Sequence, residues 1–261
     1  MRCHEVDFKI IGDDLQFVEV ELDYNETIIA EPGSMMYMDD GIDFSTKMGD
    51  GSDPDQGLFG KLFAAGKRMV TGESIFLTHF TSKIHDKKHI AFASNIPGKI
   101  IPLNMAGFSG NIICQKDCFL CASLGTKLDI AFAKKLGAGF FAGEGFILQK
   151  IIGDGMVFIN AGGTIIEKQL DNQTIKVDTG CVVAFEESIN YDIQRAGNLK
   201  SMIFGGEGIF LTTLSGTGKV WIQSLPFSRF ADNIIAHAPS QGGKSQGEGS
   251  ILGGIATIFE K

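Results

Sequence analysis

Short hydrophobic runs, separated by glycine, proline, asparagine and aspartate, follow one another along most of this chain. Apolar and polar residues alternate most clearly at residues 16–22, where Val18, Val20 and Leu22 share one face and two glutamates share the other. Successive side chains of a β-strand point to opposite faces, so this period of two predicts strands that cover a core with one face. Many such short strands with turn residues between them are typical of an all-β sandwich or barrel.

One hydrophobic pattern occurs three times along the chain. Each copy aligns with the others without a gap and has an alternating segment, a polar turn and an apolar run. The aligned copies are residues 27–38, 111–122 and 174–185. A glycine–glutamate pair before an apolar strand also recurs, at residues 72–77, 143–148 and 206–211. Recurrence of this kind predicts three small β repeats joined in series.

Each aligned copy combines a turn position with an apolar run. Gly33, Asp117 and Gly180 fall at the same turn position, where residues that tolerate unusual backbone angles belong. The runs at residues 35–38 and 118–121 are apolar on both faces. Such a strand must be covered on both sides, so we expect these runs to lie between two sheets or at a contact between repeats.

The repeats also predict the domain organisation. We expect the first repeat at residues 1–95, the second at 96–161 and the third at 162–238, followed by a tail of flexible-linker composition at 239–261. The first copy carries an insertion near residues 58–69, where apolar residues at helical spacing predict one short amphipathic helix.

Composition and charge narrow the class of partner. The chain has 261 residues, of which 44% are hydrophobic, and this is sufficient to bury a core. Its net charge of −8 argues against a nucleic-acid partner, because phosphate binding needs a basic face. The first residues contain no apolar signal region, and no apolar run approaches the roughly 18 residues of a membrane span. We therefore expect a cytoplasmic protein.

Five cysteines are present, and four of them lie inside apolar runs. An odd number of cysteines in such positions favours reduced, buried thiols over a disulfide framework. Cys118 and Cys121 have the spacing of a redox or zinc motif, but residues three apart in a strand point to opposite faces. No second pair of cysteines completes a zinc site, so we expect buried thiols and no metal.

The glutamates of the repeated glycine–glutamate pair, Glu73, Glu144 and Glu207, are the candidate ligand-binding residues. Converging carboxylates could bind a metal or a cationic ligand. Alternatively, a carboxylate between glycine and a strand can accept hydrogen bonds from nearby backbone N–H groups. A residue repeated in every unit more often serves the unit itself, which favours this structural role.

The remaining candidates for chemistry are weak. His85 and His89 are four residues apart in a polar connection, which favours a solvated turn over a shared metal. The glycine-rich residues 137–143 superficially resemble a dinucleotide-binding turn, but a strand follows them where a dinucleotide site needs a helix. Because we find no nucleophile elbow and no acid–base pair, we expect neither enzymatic activity nor a cofactor.

The order of four motifs resembles a family of bacterial proteins related to the fungal mitochondrial-biogenesis factor named for altered inheritance of mitochondria. The matching motifs are residues 31–38, 71–77, 142–145 and 224–227. The resemblance extends over roughly residues 6–238, which is nearly the whole chain. It is specific in the pattern and order of the motifs, although none of them is catalytic.

The resemblance implies a fold similar to that of the tryptophan RNA-binding attenuation protein. Each repeat would be a small β-sandwich of the short double-stranded β-helix type, and one chain would hold three repeats in a pseudo-threefold arrangement. Family members look like trimers, which implies a ring of nine units. The RNA-binding activity of the attenuation protein does not transfer, because an acidic chain lacks the basic side chains that would hold phosphates.

Our first interpretation is therefore a non-enzymatic scaffold or binding protein that self-associates as a homotrimer. Tandem β units leave one open strand at each end of the chain, and open strands pair with other chains. The alternative is a small-ligand or metal sensor with sites at repeat boundaries. The apolar residues 251–259 are too few to span a bilayer but could contact a membrane or cover the β core.

Overall fold

Antiparallel β-strands make up most of the described chain. The computed structural model describes residues 3–48, 76–94, 96–134, 146–195 and 210–238. Almost all of these residues belong to strands or to the turns that join them, and one α-helix follows the last strand. The predicted all-β class is confirmed, whereas the implied likeness to the attenuation protein stays a prediction.

Most strands have four to eight residues, and two in the last third of the chain, β14 and β17, have 14 each. The first seven are β1 (Asp7–Ile11), β2 (Phe17–Leu22), β3 (Thr27–Ala30), β4 (Met35–Met38), β5 (Ile42–Met48), β6 (Phe76–Ser82) and β7 (Lys88–Ala93). The next six are β8 (Gly98–Asn104), β9 (Asn111–Gln115), β10 (Phe119–Ser123), β11 (Lys127–Lys134), β12 (Phe146–Ile152) and β13 (Met156–Gly162). The last four are β14 (Ile165–Asp178), β15 (Val182–Glu186), β16 (Asn190–Arg195) and β17 (Phe210–Gln223).

These strands form three antiparallel sheets. The strand order is β1-β2-β7-β4 in the first sheet, β5-β6-β3-β10-β13-β8 in the second and β11-β12-β9-β15-β17-β14 in the third, where β16 also pairs with β17. The second sheet therefore joins strands of the first two predicted repeats, and the third sheet joins strands of the last two. The predicted domain boundaries stay predictions, because the sheets extend across them.

The alternation at residues 16–22 predicts that one face of the strand is buried, and the structure confirms this. In β2, Val18, Val20 and Leu22 are fully buried, and the residues between them are half-buried. These three side chains pack in a cluster with Ile90 and Phe92 of β7, the strand that pairs with β2. Burial of each large aliphatic side chain stabilises the fold by about 1.5–3 kcal/mol.

The aligned turn position adopts two different conformations. Gly33 and Asp117 have positive φ angles of 85° and 54°, as expected for residues that tolerate the left-handed region. Gly180 instead lies in a short 3-10 turn, Thr179–Cys181, where the Asp178 side chain accepts a hydrogen bond from its backbone N–H. The expectation of unusual backbone angles is thus correct for two copies and wrong for the third.

The helix, α1 (Phe227–His237), was not predicted from the sequence. It belongs to the second of two compact units, Met1–Phe227 and Ser228–Lys261. The predicted helix near residues 58–69 and the tail at 239–261 lie outside the described residues. Within the described part of the chain, no helix has the length and apolar character needed to cross a bilayer.

Candidate functional site

The three predicted ligand-binding residues, Glu73, Glu144 and Glu207, lie outside the described residues, as do residues 137–143. The strands that follow the glutamates are described, and each lies between two neighbours. β6 lies between β5 and β3, β12 between β11 and β9, and the first half of β17 between β16 and β14. Each glutamate thus precedes an inner strand, and its role stays a prediction.

Cys118 and Cys121 behave as buried thiols. Both are buried, and the two side chains pack in different hydrophobic clusters, as expected for residues that face opposite ways. Burial raises the pKa of each thiol well above its usual range, so both are protonated at neutral pH. A protonated, buried thiol is neither a nucleophile nor a metal ligand, which favours a packing role for this pair.

His85 and His89 have separate partners. The His85 ring stacks on Tyr24, with 3.9 Å between the ring centroids. His89 lies in β7, and its two ring nitrogens lie 3.4 Å from carboxylate oxygens of Glu21 and Asp39. In the described ranges no group of three or more histidine, cysteine, aspartate or glutamate side chains is arranged to hold a metal ion.

An acidic cleft lies where the first and second predicted repeats meet. Its volume is about 610 Å³, and its walls come from residues 3–26 on one side and 104–156 on the other. The lining includes six carboxylates, those of Glu5, Asp7, Glu21, Asp23, Glu26 and Asp154. Such a concentration of negative charge in a concave surface attracts cationic groups.

Local hydrogen bonds give the cleft carboxylates different affinities for protons. Burial raises the pKa of Glu26, whose side chain accepts a hydrogen bond from the Asp23 backbone N–H at 2.8 Å. A hydrogen bond from Lys87 lowers the pKa of Glu21, and one from the Cys3 backbone N–H lowers the pKa of Asp154. The lowered pKa values keep Glu21 and Asp154 ionised at neutral pH.

The strand β4 differs from the strands that align with it. β10 and β15 each lie between two strands and are almost entirely buried. In the described part of the chain β4 pairs on one side only, with β7. Met36 and Tyr37 are 55% and 38% exposed. The prediction that residues 35–38 are covered on both sides is therefore not met by the residues that the structure describes.

Residues 173–178, the second half of β14, form the complementary open edge. The aligned strands β3 and β9 each lie between two strands, but residues 173–178 pair only with β17 among the described strands. Lys176 is exposed, whereas the aligned Ile29 is fully buried and Ile113 is buried. Sequence reasoning predicted one open strand at each end of the chain but did not identify which strands these are, although the apolar composition of β4 is a signal that this strand needs a second neighbour.

Comparison with known proteins gives three likenesses. A family model described as mitochondrial biogenesis AIM24 matches residues 8–225. A protein of Streptococcus pyogenes serotype M6, described as uncharacterized, is 32% identical over 226 residues, which are 85% of this chain and 87% of that protein. A crystal structure of a Streptococcus pyogenes protein, solved as a structural genomics target, has a TM-score of 0.70 and 26% identity, covering 90% of this chain and 100% of that one. All three aligned copies lie within the matched residues.

Proposed function

The chain belongs to the mitochondrial biogenesis AIM24 family, and from this membership and its open strand edges we propose that it is a non-enzymatic scaffold or binding protein. The active form is a homotrimeric β ring with three repeats in each chain. The protein acts through its surfaces and its assembly, in the cytoplasm.

Recurring local geometry supports three equivalent repeats. The pairings of β4, β10 and β15 each contain a register shift, between Met35 and Tyr37, between Phe119 and Cys121, and between Val182 and Ala184. These three places coincide in the alignment of the copies. A bulge re-aims the strand that carries it, so three bulges at one aligned position indicate units built on the same plan.

The open edges β4 and residues 173–178 carry the proposal of a ring. Each lies at an aligned position whose counterparts in the other copies are paired with a neighbouring repeat. An open edge with exposed hydrophobic side chains is a template for another chain. A head-to-tail contact repeated by rotation forms a closed ring when the angle permits, and closure leaves neither edge exposed.

Light scattering on the purified chain tests the assembly. We expect a particle of three times the 28.1 kDa chain mass, unchanged over a wide range of protein concentration. A monomer at micromolar concentration would contradict the proposed ring. Because the two edges are different surfaces, a symmetric dimer would contradict it as well.

The acidic cleft supports a second candidate function, the binding of a cationic small molecule at a repeat boundary. Cationic organic ligands fit it better than a metal ion, because the described carboxylates form no metal-holding group. Titration calorimetry with spermidine tests this function. We expect the double variant Asp7→Asn, Glu26→Gln to bind about ten-fold more weakly, whereas Asp192→Asn, at an exposed position of β16, binds as the parent does. Absence of heat with the parent protein at two well-separated temperatures contradicts the function.

A further inference from the structure

The two contacts between predicted repeats pair aligned strands in the same register. β3 of the first repeat pairs antiparallel with β10 of the second, and β9 of the second pairs in the same way with β15 of the third. In the first contact Ala30 lies opposite Cys121, and in the second Cys114 lies opposite Ala184. The alignment of the copies places Ala30 with Cys114, and Cys121 with Ala184. The two contacts therefore have the same register.

The same rule assigns partners to the two open edges. In the third copy the residue aligned with Ala30 and Cys114 is Val177. In the first copy the residue aligned with Cys121 and Ala184 is Tyr37. These residues lie on residues 173–178 and β4, each of which pairs on one side only among the described strands. A third contact of this kind within the trimer thus joins the third repeat of one chain to the first repeat of the next.

We propose that residues 173–178 of one copy pair antiparallel with β4 of a second copy, with Val177 opposite Tyr37. The proposal rests on the proposed trimer and specifies the surface that holds it together. The next residue pair in the same register sets Lys176 opposite Met38. Three such contacts in a closed ring cover every open edge of this kind.

The side chains on the two edges suit each other. Tyr37, Met36 and the half-buried Met38 supply apolar surface, which pairing removes from water. The open strand therefore recognises a second copy of this chain through backbone hydrogen bonds and an apolar strip.

Backbone hydrogen bonds identify the pair best suited to a cross-link. Glu31 N donates to Leu120 O at 3.0 Å, and Leu124 N donates to Thr27 O at 3.1 Å. Glu31 and Leu120 are therefore a hydrogen-bonded pair, and so are Thr27 and Leu124. Because hydrogen-bonded and non-hydrogen-bonded pairs alternate along an antiparallel ladder, Ala30 and Cys121 form a non-hydrogen-bonded pair. In such pairs the Cα atoms lie about 4.5 Å apart, a separation that a disulfide can bridge. The same geometry applies to Val177 and Tyr37 in the proposed interface.

A disulfide trap tests the register. The double variant Tyr37→Cys, Val177→Cys is made in a Cys181→Ser background, because Cys181 is the one native cysteine that is not buried. After mild oxidation, a non-reducing gel is expected to show covalent dimers and trimers. The matched control is Tyr37→Cys, Lys176→Cys, in which the second thiol faces the other side of the sheet. We expect the control to form at least about ten-fold less cross-linked product.

The outcomes separate the interface from the ring. A trimer by light scattering without cross-linking of the 37–177 pair overturns the proposed interface and leaves the proposed function standing. Stronger cross-linking in the 37–176 control overturns the register. A parent protein that is monomeric overturns the ring and the interface together. Trimer mass with selective 37–177 cross-linking supports both.

A proline at the open edge gives an independent measurement. By alignment with Ile29, the backbone N–H of Lys176 faces the open edge and not β17, and proline is tolerated at such edge positions. We expect Lys176→Pro to reduce the particle mass from trimer to monomer while circular dichroism still shows the β-sheet spectrum. A folded Lys176→Pro variant that remains trimeric contradicts the proposed contact.

Discussion

At the scale of single residues, Gln223 is a buried polar side chain that connects two segments of the backbone through hydrogen bonds. It is the last residue of β17 and only 6% exposed. Its Oε1 accepts a hydrogen bond from Gly162 N at 2.8 Å, and its Nε2 donates to Gly180 O at 2.9 Å. Gln223 thereby joins the end of β13 to the turn before β15, and both backbone groups depend on it for a partner.

We expect Gln223→Leu to lower the free energy of unfolding by about 2–5 kcal/mol. The leucine fills the space but leaves a buried N–H and a buried carbonyl unsatisfied, and each costs roughly 1–3 kcal/mol. Urea unfolding monitored by circular dichroism measures the loss. The matched control is Gln194→Leu at an exposed position of β16, where the amide donates a hydrogen bond to the exposed Asp192 side chain. Equal stabilities of the two variants would contradict this role of Gln223.

At the scale of secondary structure elements, the start of β8 shows how closely two strands approach. Gly98 pairs with Gly162 at the end of β13. A Cβ atom on Gly98 would lie 1.9 Å from the backbone oxygen of Ala161, which cannot move aside without distorting the strand. Gly107, in the 3-10 turn Met105–Phe108, would place its Cβ in open space.

These surroundings predict opposite outcomes for two glycine-to-alanine changes. We expect Gly98→Ala to destabilise the protein by about 1–3 kcal/mol, because the strands must separate to admit the methyl group. Gly107→Ala should change stability by less than about 0.5 kcal/mol, as substitutions in open positions do. Thermal unfolding of both variants checks the pair. A Gly98→Ala protein that melts with the parent would show that this close approach is absent in solution.

Period-two patterns in the sequence identify strands well but do not identify their neighbours. Val18, Val20 and Leu22 predicted the buried face of β2 because alternation depends only on the geometry of one strand. The apolar run at residues 35–38 predicted burial, yet Met36 is exposed. Whether an apolar strand is covered depends on its pairing with distant strands, and a local pattern carries no information on that.

The helix α1, in contrast, carries a local sequence signal that predicts a helix. Pro226 precedes it, and proline is favoured at helix starts. Its apolar residues follow a helical period, at Phe227, Phe230, Ala231, Ile234 and Ile235. The repeat pattern predicts strands, and residues 227–237 fall within the predicted third β repeat at 162–238. None of the helix residues is buried, and its apolar positions could have been recognised by spacing alone.

At the scale of the whole molecule, the alignment of the three copies within this chain says more about strand pairing than any single motif does. Aligned positions in the three copies coincide with aligned bulges and with two contacts of identical register. The candidate glutamates were inferred from the same repetition, but repetition alone does not distinguish a ligand site from a structural element. The sequence did not predict the acidic cleft, because no local pattern shows that residues 3–26, which carry five of its six carboxylates, lie against residues 104–156.

Removal of residues 240–261 tests which part of the molecule makes the ring. Both proposed edges, β4 and residues 173–178, lie far before this tail in the chain. A linker of glycine, serine and glutamine contributes few fixed contacts, so we expect the truncated chain to retain its melting temperature and its trimer mass. Light scattering and thermal unfolding of the two lengths measure this, with Lys176→Pro as the control that dissociates. If truncation alone unfolds the protein or releases monomers, the apolar residues 251–259 belong to the core or to the interface, and the strand edges do not suffice for assembly.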